Sequence, residues 1–460
     1  INFLRIQFRL DAASEGWIMS SALVGCVAGA AIAGYLADRI GRKKVLYLSA
    51  ILFMGSAMGC ALASTTAWLV IARIAGGIGV GFAAMVAPMF ISELAPAAAR
   101  GRLVSLYQLA ITLGILVSYL SNAGILYYAA HHRASGLLHY WLVDEPWRGM
   151  LGSNIIPSLV FFVLLIFVPE SPRWLIKENR MSDAQSILDR VSGPGNGAQE
   201  CNDIRKAIRE ESAGFRQLWA PGMRTALIVG LVLPFLTQLT GITTVMYYAP
   251  AIFEKAGLGA GSAMSSAAII GFFNMLFTFL AIWKIDRWGR KPLLVGGFIG
   301  LGAALLAIGA LFGAAEAPSA FLLGAFIFYI AVFAATIGPG VWVVLSEIYP
   351  TAIRGRAMSL GTLSLFLGSS FVTQTYPLLR ESVGIGWTFV LYGVLMLPAA
   401  WFVAKLAPET KGKTLEDIER YWKEKMPKAK AEEANKEDLG NDKADRANST
   451  TGQAGAVQDF

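Results

Sequence analysis

Eleven runs of about twenty mostly apolar residues divide this chain, near 17–37, 45–63, 68–92, 103–124, 148–168, 224–248, 263–283, 292–313, 319–344, 357–379 and 385–406. Wound as a helix rising about 1.5 Å per residue, each is long enough to cross the roughly 30 Å hydrocarbon core of a bilayer. Lipid offers no partner to backbone polar groups, so runs of this length must satisfy them internally as helices. Composition agrees, with 15% charged residues against about 25% in a soluble domain. The fold class expected is an all-α membrane protein.

The connecting segments sort into two groups. DRIGRKK (38–44), the 169–223 segment, KIDRWGRK (284–291) and the tail after 406 are rich in Lys and Arg, whereas 125–147, 249–262 and 314–318 are not. Basic loops favour the cytoplasm, which places the first group and the C-terminus on that side. Residues 1–16 then fall outside, and an earlier span is needed to bring the chain there. The expectation is twelve spans in the intact protein, the first largely missing from this sequence. The net charge of +8 is read as topology, because no nucleic-acid-reading motif accompanies it.

Three phrases recur. DRIGRK (38–43) returns as DRWGRK (286–291), SELAPAAARGR (92–102) as SEIYPTAIRGR (346–356), and PESPR (169–173) as PETKG (408–412). Order and membrane side are kept, so the chain reads as two parallel six-span halves, a transporter architecture. The N-terminal half covers 1–168, a cytoplasmic linker 169–223, the C-terminal half 224–406 and a tail 407–460. Within the linker, SDAQSILDRV (182–191) and NDIRKAIREE (202–211) have the pattern of short amphipathic helices. From about 427 the tail reads as disordered.

The recurring charges form two sets: Asp38, Arg39, Arg42, Glu93, Arg100, Glu170 and Arg173, then Asp286, Arg287, Arg290, Glu347, Arg354 and Glu409. As a cytoplasmic gate they would pair when helix ends come together and part when the gate opens. The plainer alternative is that they fix topology and brace loops. Matched glutamates favour the gate, since topology needs only Lys and Arg.

Charges deep in a bilayer mark ion or charged-substrate paths. Only Arg73 is expected well inside a run, and a path without other fixed charge suits a neutral solute. The hydrogen-bonding side chains on offer are Gln108 and Thr112, then Thr237, Gln238, Thr240, Thr243 and Thr244, then Asn274, with Trp342 as an aromatic face. Amides beside an indole suit a polyhydroxylated ring. The same residue types also join helices to one another in lipid.

Over nearly its whole length the chain resembles the sugar porter family of the major facilitator superfamily. The likeness is carried by GYLADRIGRKK (34–44), ARIAGGIGVGFAAMVAPMFISELAPAAARGR (72–102), PESPRWL (169–175), DRWGRK (286–291) and PETKG (408–412). It implies a major facilitator fold and transport of a neutral monosaccharide or related polyol (hexose, pentose or inositol) by alternating access, as a proton symporter or a facilitator. It implies a substrate-binding set at Gln108, Gln238, Asn274 and Trp342. Thr237 and Thr243 stand where the family carries a glutamine and an asparagine, and Leu365-Phe366 where many members have an amide followed by tryptophan. Proton-driven members pair an arginine at the place of Arg73 with an aspartate in the first span, which makes Arg73 the proton-coupling candidate; facilitators keep the arginine too. The family's charged cytoplasmic motifs stabilise its outward-open state. Some members are non-transporting membrane sugar sensors with long signalling extensions, whereas the tail here is short. The setting implied is a monomer in the plasma membrane, with lipid, a sugar or polyol, and protons as partners. No cofactor, metal, nucleic acid or enzymatic activity is expected.

Other signals are set aside. GGIGVG (76–81) lies in an apolar run with no strand before it, so close helix packing is expected rather than a dinucleotide site. Cys26, Cys60 and Cys201 offer neither a disulfide framework nor zinc spacing. His131, His132 and His139 read as a solvated outer loop, with metal binding or pH sensing as the alternative. Asn448-Ser449-Thr450 has sequon form but falls in the tail expected inside the cell. No P-loop is present, which sets aside ATP-driven transport by this chain.

Overall fold

A computed structural model describes residues 2–95, 100–131, 139–193, 195, 197–210, 223–255, 257, 260–314, 319–349, 354–411 and 421–422, and among these the chain is all-helical. A short α1 (Asn2–Phe8) leads into α2 (Ala12–Ile40), α3 (Arg42–Ala61), α4 (Thr66–Leu94) and α5 (Arg100–His131). A π-helical turn (Tyr140–Asp144) precedes α6 (Pro146–Gly152) and α7 (Ile155–Phe167). Three short helices follow: α8 (Pro172–Lys177), α9 (Met181–Ser192) and α10 (Gly197–Glu210). The second half holds α11 (Arg224–Gln238), α12 (Ile242–Lys255), α13 (Ala260–Trp288), α14 (Arg290–Gly313), α15 (Ser319–Val332), α16 (Gly338–Glu347), α17 (Arg354–Ser382) and α18 (Ile385–Leu406). The tail expected to be disordered lies outside the described residues.

Ten helical stretches are long and apolar enough to cross a membrane, among the described residues. The eleventh expected run, 357–379, forms most of α17 but is more polar. Its Ser364, Ser369, Gln374 and Arg380 direct their polar groups at α11, α12 and α2 rather than at lipid.

Three runs that read as continuous are interrupted. The 148–168 run is divided between α6 and α7. The 224–248 run breaks between α11 and α12, where Gly241 takes φ +79°, a left-handed conformation that favours glycine. In the 319–344 run, a π-helical turn (Phe333–Ile337) separates α15 from α16. Pro339 has no N–H to return to the preceding turn, and the wider winding absorbs that loss.

Helix α2 also starts five residues before its apolar run. Asp11 caps it, accepting from the Ser14 N–H at 3.0 Å. The Ser14 hydroxyl, with that N–H beside it, holds the Asp11 carboxyl below its ordinary range. The early start draws Glu15 into the helix.

The GGIGVG segment does what an apolar run of glycines permits. A Cβ on Gly25 would stand 2.9 Å from the Gly77 Cα, and one on Gly81 2.6 Å from the Ala30 nitrogen. Backbones of α2 and α4 therefore touch, which any larger residue would prevent. In the second half, Leu294, Phe298, Leu301 and Leu305 of α14 share one core with Phe389, Tyr392 and Met396 of α18. The short helices α8–α10 bury Trp174, Leu175, Ala184, Leu188 and Cys201 together. Cys201 is thus a buried residue of α10.

Candidate functional site

At the α11–α12 break, helical hydrogen bonding stops and side chains take over. Thr237 Oγ1 donates to the Pro234 carbonyl (2.6 Å), and Gln238 Nε2 donates to Thr237 Oγ1 (3.4 Å). Thr243 Oγ1 donates to Gln238 Oε1 (2.8 Å), and Ser369 Oγ of α17 donates to Thr243 Oγ1 (2.9 Å). Thr240 Oγ1 caps the new helix by donating to the Thr237 carbonyl and accepting from the Ile242 N–H. Tyr329 of α15 steadies the break through the Thr240 carbonyl (2.9 Å). The structure thus brings Thr237, Gln238 and Thr243 into one network.

The other expected site residues lie on neighbouring elements. Gln108 is half-buried on α5, and Asn274 is buried on α13, a helix packed against α5. Trp342 is half-buried on α16 and packs against the second-half core. Among the described residues no hydrogen bond joins these three to the Thr237–Gln238–Thr243 network. Arg73, on α4, donates through Nε to the Ile18 carbonyl (2.7 Å) and through Nη2 to the Met19 carbonyl (3.2 Å) of α2.

Sequence reasoning missed a buried ion pair. Glu15 is 1% exposed and accepts twice from Arg380 of α17, at 3.2 and 3.0 Å, with Arg5 at 3.9 Å. This pair sits just outside the 17–37 and 357–379 runs, whereas Arg73 sits inside the 68–92 run. Beside this pair, Ser20 Oγ donates to Gln374 Oε1 (2.7 Å), and Gln374 Nε2 donates to the Ala13 carbonyl (3.2 Å). The halves touch again where Tyr119 of α5 hydrogen-bonds the Met246 carbonyl of α12. The contacts between halves gather at the end of α2 that carries Glu15. One signal was available: an acid and a base flank two apolar runs on the same expected face.

The opposite end carries two matching cradles. Arg42 grips Glu93 with Nε and Nη2 (3.0 and 3.1 Å), and Arg290 grips Glu347 the same way (3.1 and 3.0 Å). Glu170 accepts from the Lys43 N–H, at the first turn of α3. Glu409 accepts from the Arg290 and Lys291 N–H groups, at the first turn of α14. Each carboxylate fills donors that a helix leaves free and faces its positive end. Burial alone would raise the Glu409 carboxyl, but the N–H groups of Lys411, Arg290, Lys291 and Thr410 hold it below its ordinary value of 4.5. Two further members went unremarked in the sequence: Ser171 donates to Glu93, and Thr410 donates to Glu347. Both directly follow the glutamate of PESPR or PETKG.

One expectation about these charges needs correcting. Arg39 does not join its cradle; it is exposed in the last turn of α2 and reaches Tyr35 instead. Arg42–Glu93 and Arg290–Glu347 each close within one half, while the halves meet at the other end. Asp38 pairs with Arg42 and Lys177. The side chains of Arg100, Asp286, Arg287 and Arg354 lie outside the described residues. His131 faces the Tyr127 carbonyl and His139 faces Asp144, while His132 lies outside the described residues.

The family described as Sugar (and other) transporter matches residues 9–422. The D-xylose-proton symporter of Escherichia coli (strain K12) is 37% identical, over 90% of this chain and 87% of its own. The arabinose-proton symporter of Bacillus subtilis (strain 168) is 36% identical, over 92% and 89%. An inward open structure of the xylose transporter XylE from E. coli superposes with a TM-score of 0.77 at 36% identity, covering 92% of this chain and 94% of that one.

Proposed function

Because the chain belongs to the Sugar (and other) transporter family, with a major facilitator fold, we propose that it carries a neutral monosaccharide or related polyol across the plasma membrane by proton-coupled alternating access. It is a multi-pass membrane protein, and its relatives are transporters rather than enzymes. The observation that carries the proposal is the helix break at Gln238–Ile242, where hydroxyls and an amide cluster without a fixed charge. A path lined this way matches a solute made of hydroxyls. Gln108, Thr237, Gln238, Thr243, Asn274 and Trp342 form its binding set, the indole stacking on the C–H face of the ring.

In this reading the basic end faces the cytoplasm, with the C-terminus, and Glu15 and Arg380 face outward. Contacts at the outer end make the arrangement inward-facing. Residues 1–168 and 224–406 move as two bodies joined by 169–223, in a monomer. Within each body the charged cradle braces the helix ends, with Arg100, Arg173, Asp286, Arg287 and Arg354 completing the cytoplasmic set. Arg73 takes the coupling role by exchanging the α2 carbonyls for a carboxylate when a proton leaves it.

The test is uptake by the full-length protein in vesicles, using labelled D-xylose, arabinose, glucose, galactose and inositol, with and without an inward proton gradient. Gradient-driven accumulation of one solute is expected. Equilibration without accumulation would make it a facilitator, and saturable binding without entry would make it a sensor.

A further inference from the structure

The hydrogen-bond chain around Gln238 admits one set of donors. Thr237 Oγ1 lies 2.6 Å from the Pro234 carbonyl oxygen. A carbonyl cannot donate, so this contact holds the single Thr237 hydroxyl proton. Only lone pairs remain for the second neighbour of Thr237, and Gln238 must turn Nε2 toward it. Gln238 Oε1 then faces Thr243, which must donate. With its proton committed, Thr243 Oγ1 accepts from Ser369 Oγ. The order Ser369, Thr243, Gln238, Thr237, Pro234 is fixed from its carbonyl end.

Packing holds the chain together. Thr237, Gln238 and Ser369 are 3%, 6% and 3% exposed and Thr243 is half-buried, so the Thr237 end of the chain is shielded from bulk water. Gly368 lets α17 approach closely: a Cβ there would stand 3.2 Å from the Gln238 Cβ and 3.2 Å from the Phe235 carbonyl oxygen. Next to it, Ser369 reaches across to Thr243. Ser364 anchors the same two helices by donating to the Leu231 carbonyl at 2.6 Å.

We propose that Ser369 and Thr243 are positioning residues for substrate specificity, holding the Gln238 amide in one orientation with one Nε2 N–H left for an oxygen acceptor on a neutral sugar. This rests on Gln238 lining the sugar path. An amide free to flip offers a donor or an acceptor alike, and it tolerates either on the ligand. An amide held at both ends selects a ligand oxygen with a lone pair at that point. Thr243, itself in the proposed binding set, thus also acts on the ligand through Gln238, and Ser369 acts through Thr243. Ser369 ties recognition on α11 and α12 to the placement of α17.

The experiment measures uptake kinetics of the full-length protein in vesicles with D-xylose, arabinose, glucose and galactose. Ser369→Ala and Thr243→Val should each raise KM for the best-transported sugar roughly two- to tenfold, the worth of one buried hydrogen bond. Maximal rate should hold, the spread of kcat/KM across the four sugars should narrow, and Ser369→Thr should restore both. In a Gln238→Ala background, Ser369→Ala should add nothing. The same rise in KM in both backgrounds would overturn the proposal, because Ser369 would then act independently of the amide. So would unchanged KM in Ser369→Ala and Thr243→Val where Gln238→Ala raises it. If Gln238→Ala itself leaves KM unchanged, the glutamine is not in the sugar path, and the proposed binding set fails along with the relay. Thr243→Val preserves shape, and its effect with and without Gln238→Ala separates the relay from a direct contact of Thr243 with the sugar even if Ser369→Ala misfolds.

Discussion

Replacing Glu15 with glutamine should release the outer end of the molecule. Arg380 makes two hydrogen bonds to this carboxylate, which is 1% exposed, while the Arg380 side chain is 12% exposed. Glutamine keeps the shape and one acceptor oxygen but removes the charge. A hydrogen bond to a charged group contributes about 1.5–3 kcal/mol net. If that is lost only in the closed arrangement, the ratio of outer-closed to outer-open molecules falls roughly 10- to 150-fold. Rehydration of the carboxylate on opening already offsets part of the pair in the native protein, so the lower end is expected. Labels at Ile6→Cys and Trp387→Cys, both exposed, would report the outer separation by double electron–electron resonance. The three native cysteines, all free and buried, would first be replaced. Glu15→Gln should enlarge the long-distance population, and Arg380→Lys should give an intermediate shift. An unchanged distribution in Glu15→Gln would refute the idea that this pair latches the halves.

Gln108→Ala or Trp342→Ala should raise KM for the transported sugar several-fold with normal membrane insertion; uptake kinetics and surface labelling check this, and unchanged KM in both would remove those residues from the site. Gly77→Val puts side-chain atoms where α2 and α4 backbones touch, and overpacking of this kind costs about 1–3 kcal/mol; thermal unfolding in detergent should show the loss. Because the Glu409 carboxyl is held below 4.5, its stabilising contribution is fully present above that value. It is lost as pH falls through the lower folded value. Glu409→Gln should therefore melt below the native protein at neutral pH, with the gap closing on acidification below 4.5; a constant gap would assign the effect to packing.

Much of the fold was legible because lipid permits few solutions. Length and apolar content forecast α2, α3, α4, α14 and α18, and the repeated phrases pointed to two matching sets of charges, within which the structure pairs Arg42 with Glu93 and Arg290 with Glu347. Partner choice was less visible. Glu15 reads as a span boundary because acids usually end apolar runs, yet its helix begins earlier and Arg380 on a distant helix neutralises it. The α11–α12 break hid inside an apolar run, since nothing in TQLTGIT but Gly241 marks where helical bonding stops. Thr237 and Thr243 were identified as shortened amides; that Ser369 completes their chain follows from Gly368 and the approach of α17, which no local pattern announces.

The distribution of ion pairs bears on how such a molecule would rock. Arg42–Glu93 and Arg290–Glu347 are two-point grips closed within single halves, and Glu170 and Glu409 tie further helix ends to them. Nothing in these bonds needs to break when the halves separate, so each half can turn as a unit. Between the halves, the charged link among the described residues is the Glu15–Arg380 pair, supported by Ser20–Gln374 and Tyr119–Met246. A switch of this form concentrates its barrier in a few bonds at one end and leaves the helix packing of each half intact. Arg73 lies between these regimes: from α4 it holds the Ile18 and Met19 carbonyls, three and four residues beyond Glu15, which ties the coupling candidate to the helix that carries the acid of the latch. Under the proposed mechanism, loss of the proton from the carboxylate partner would draw Arg73 off α2 and loosen the helix on which the outer contacts are mounted, which links proton release to opening without any contact between the proton and the sugar.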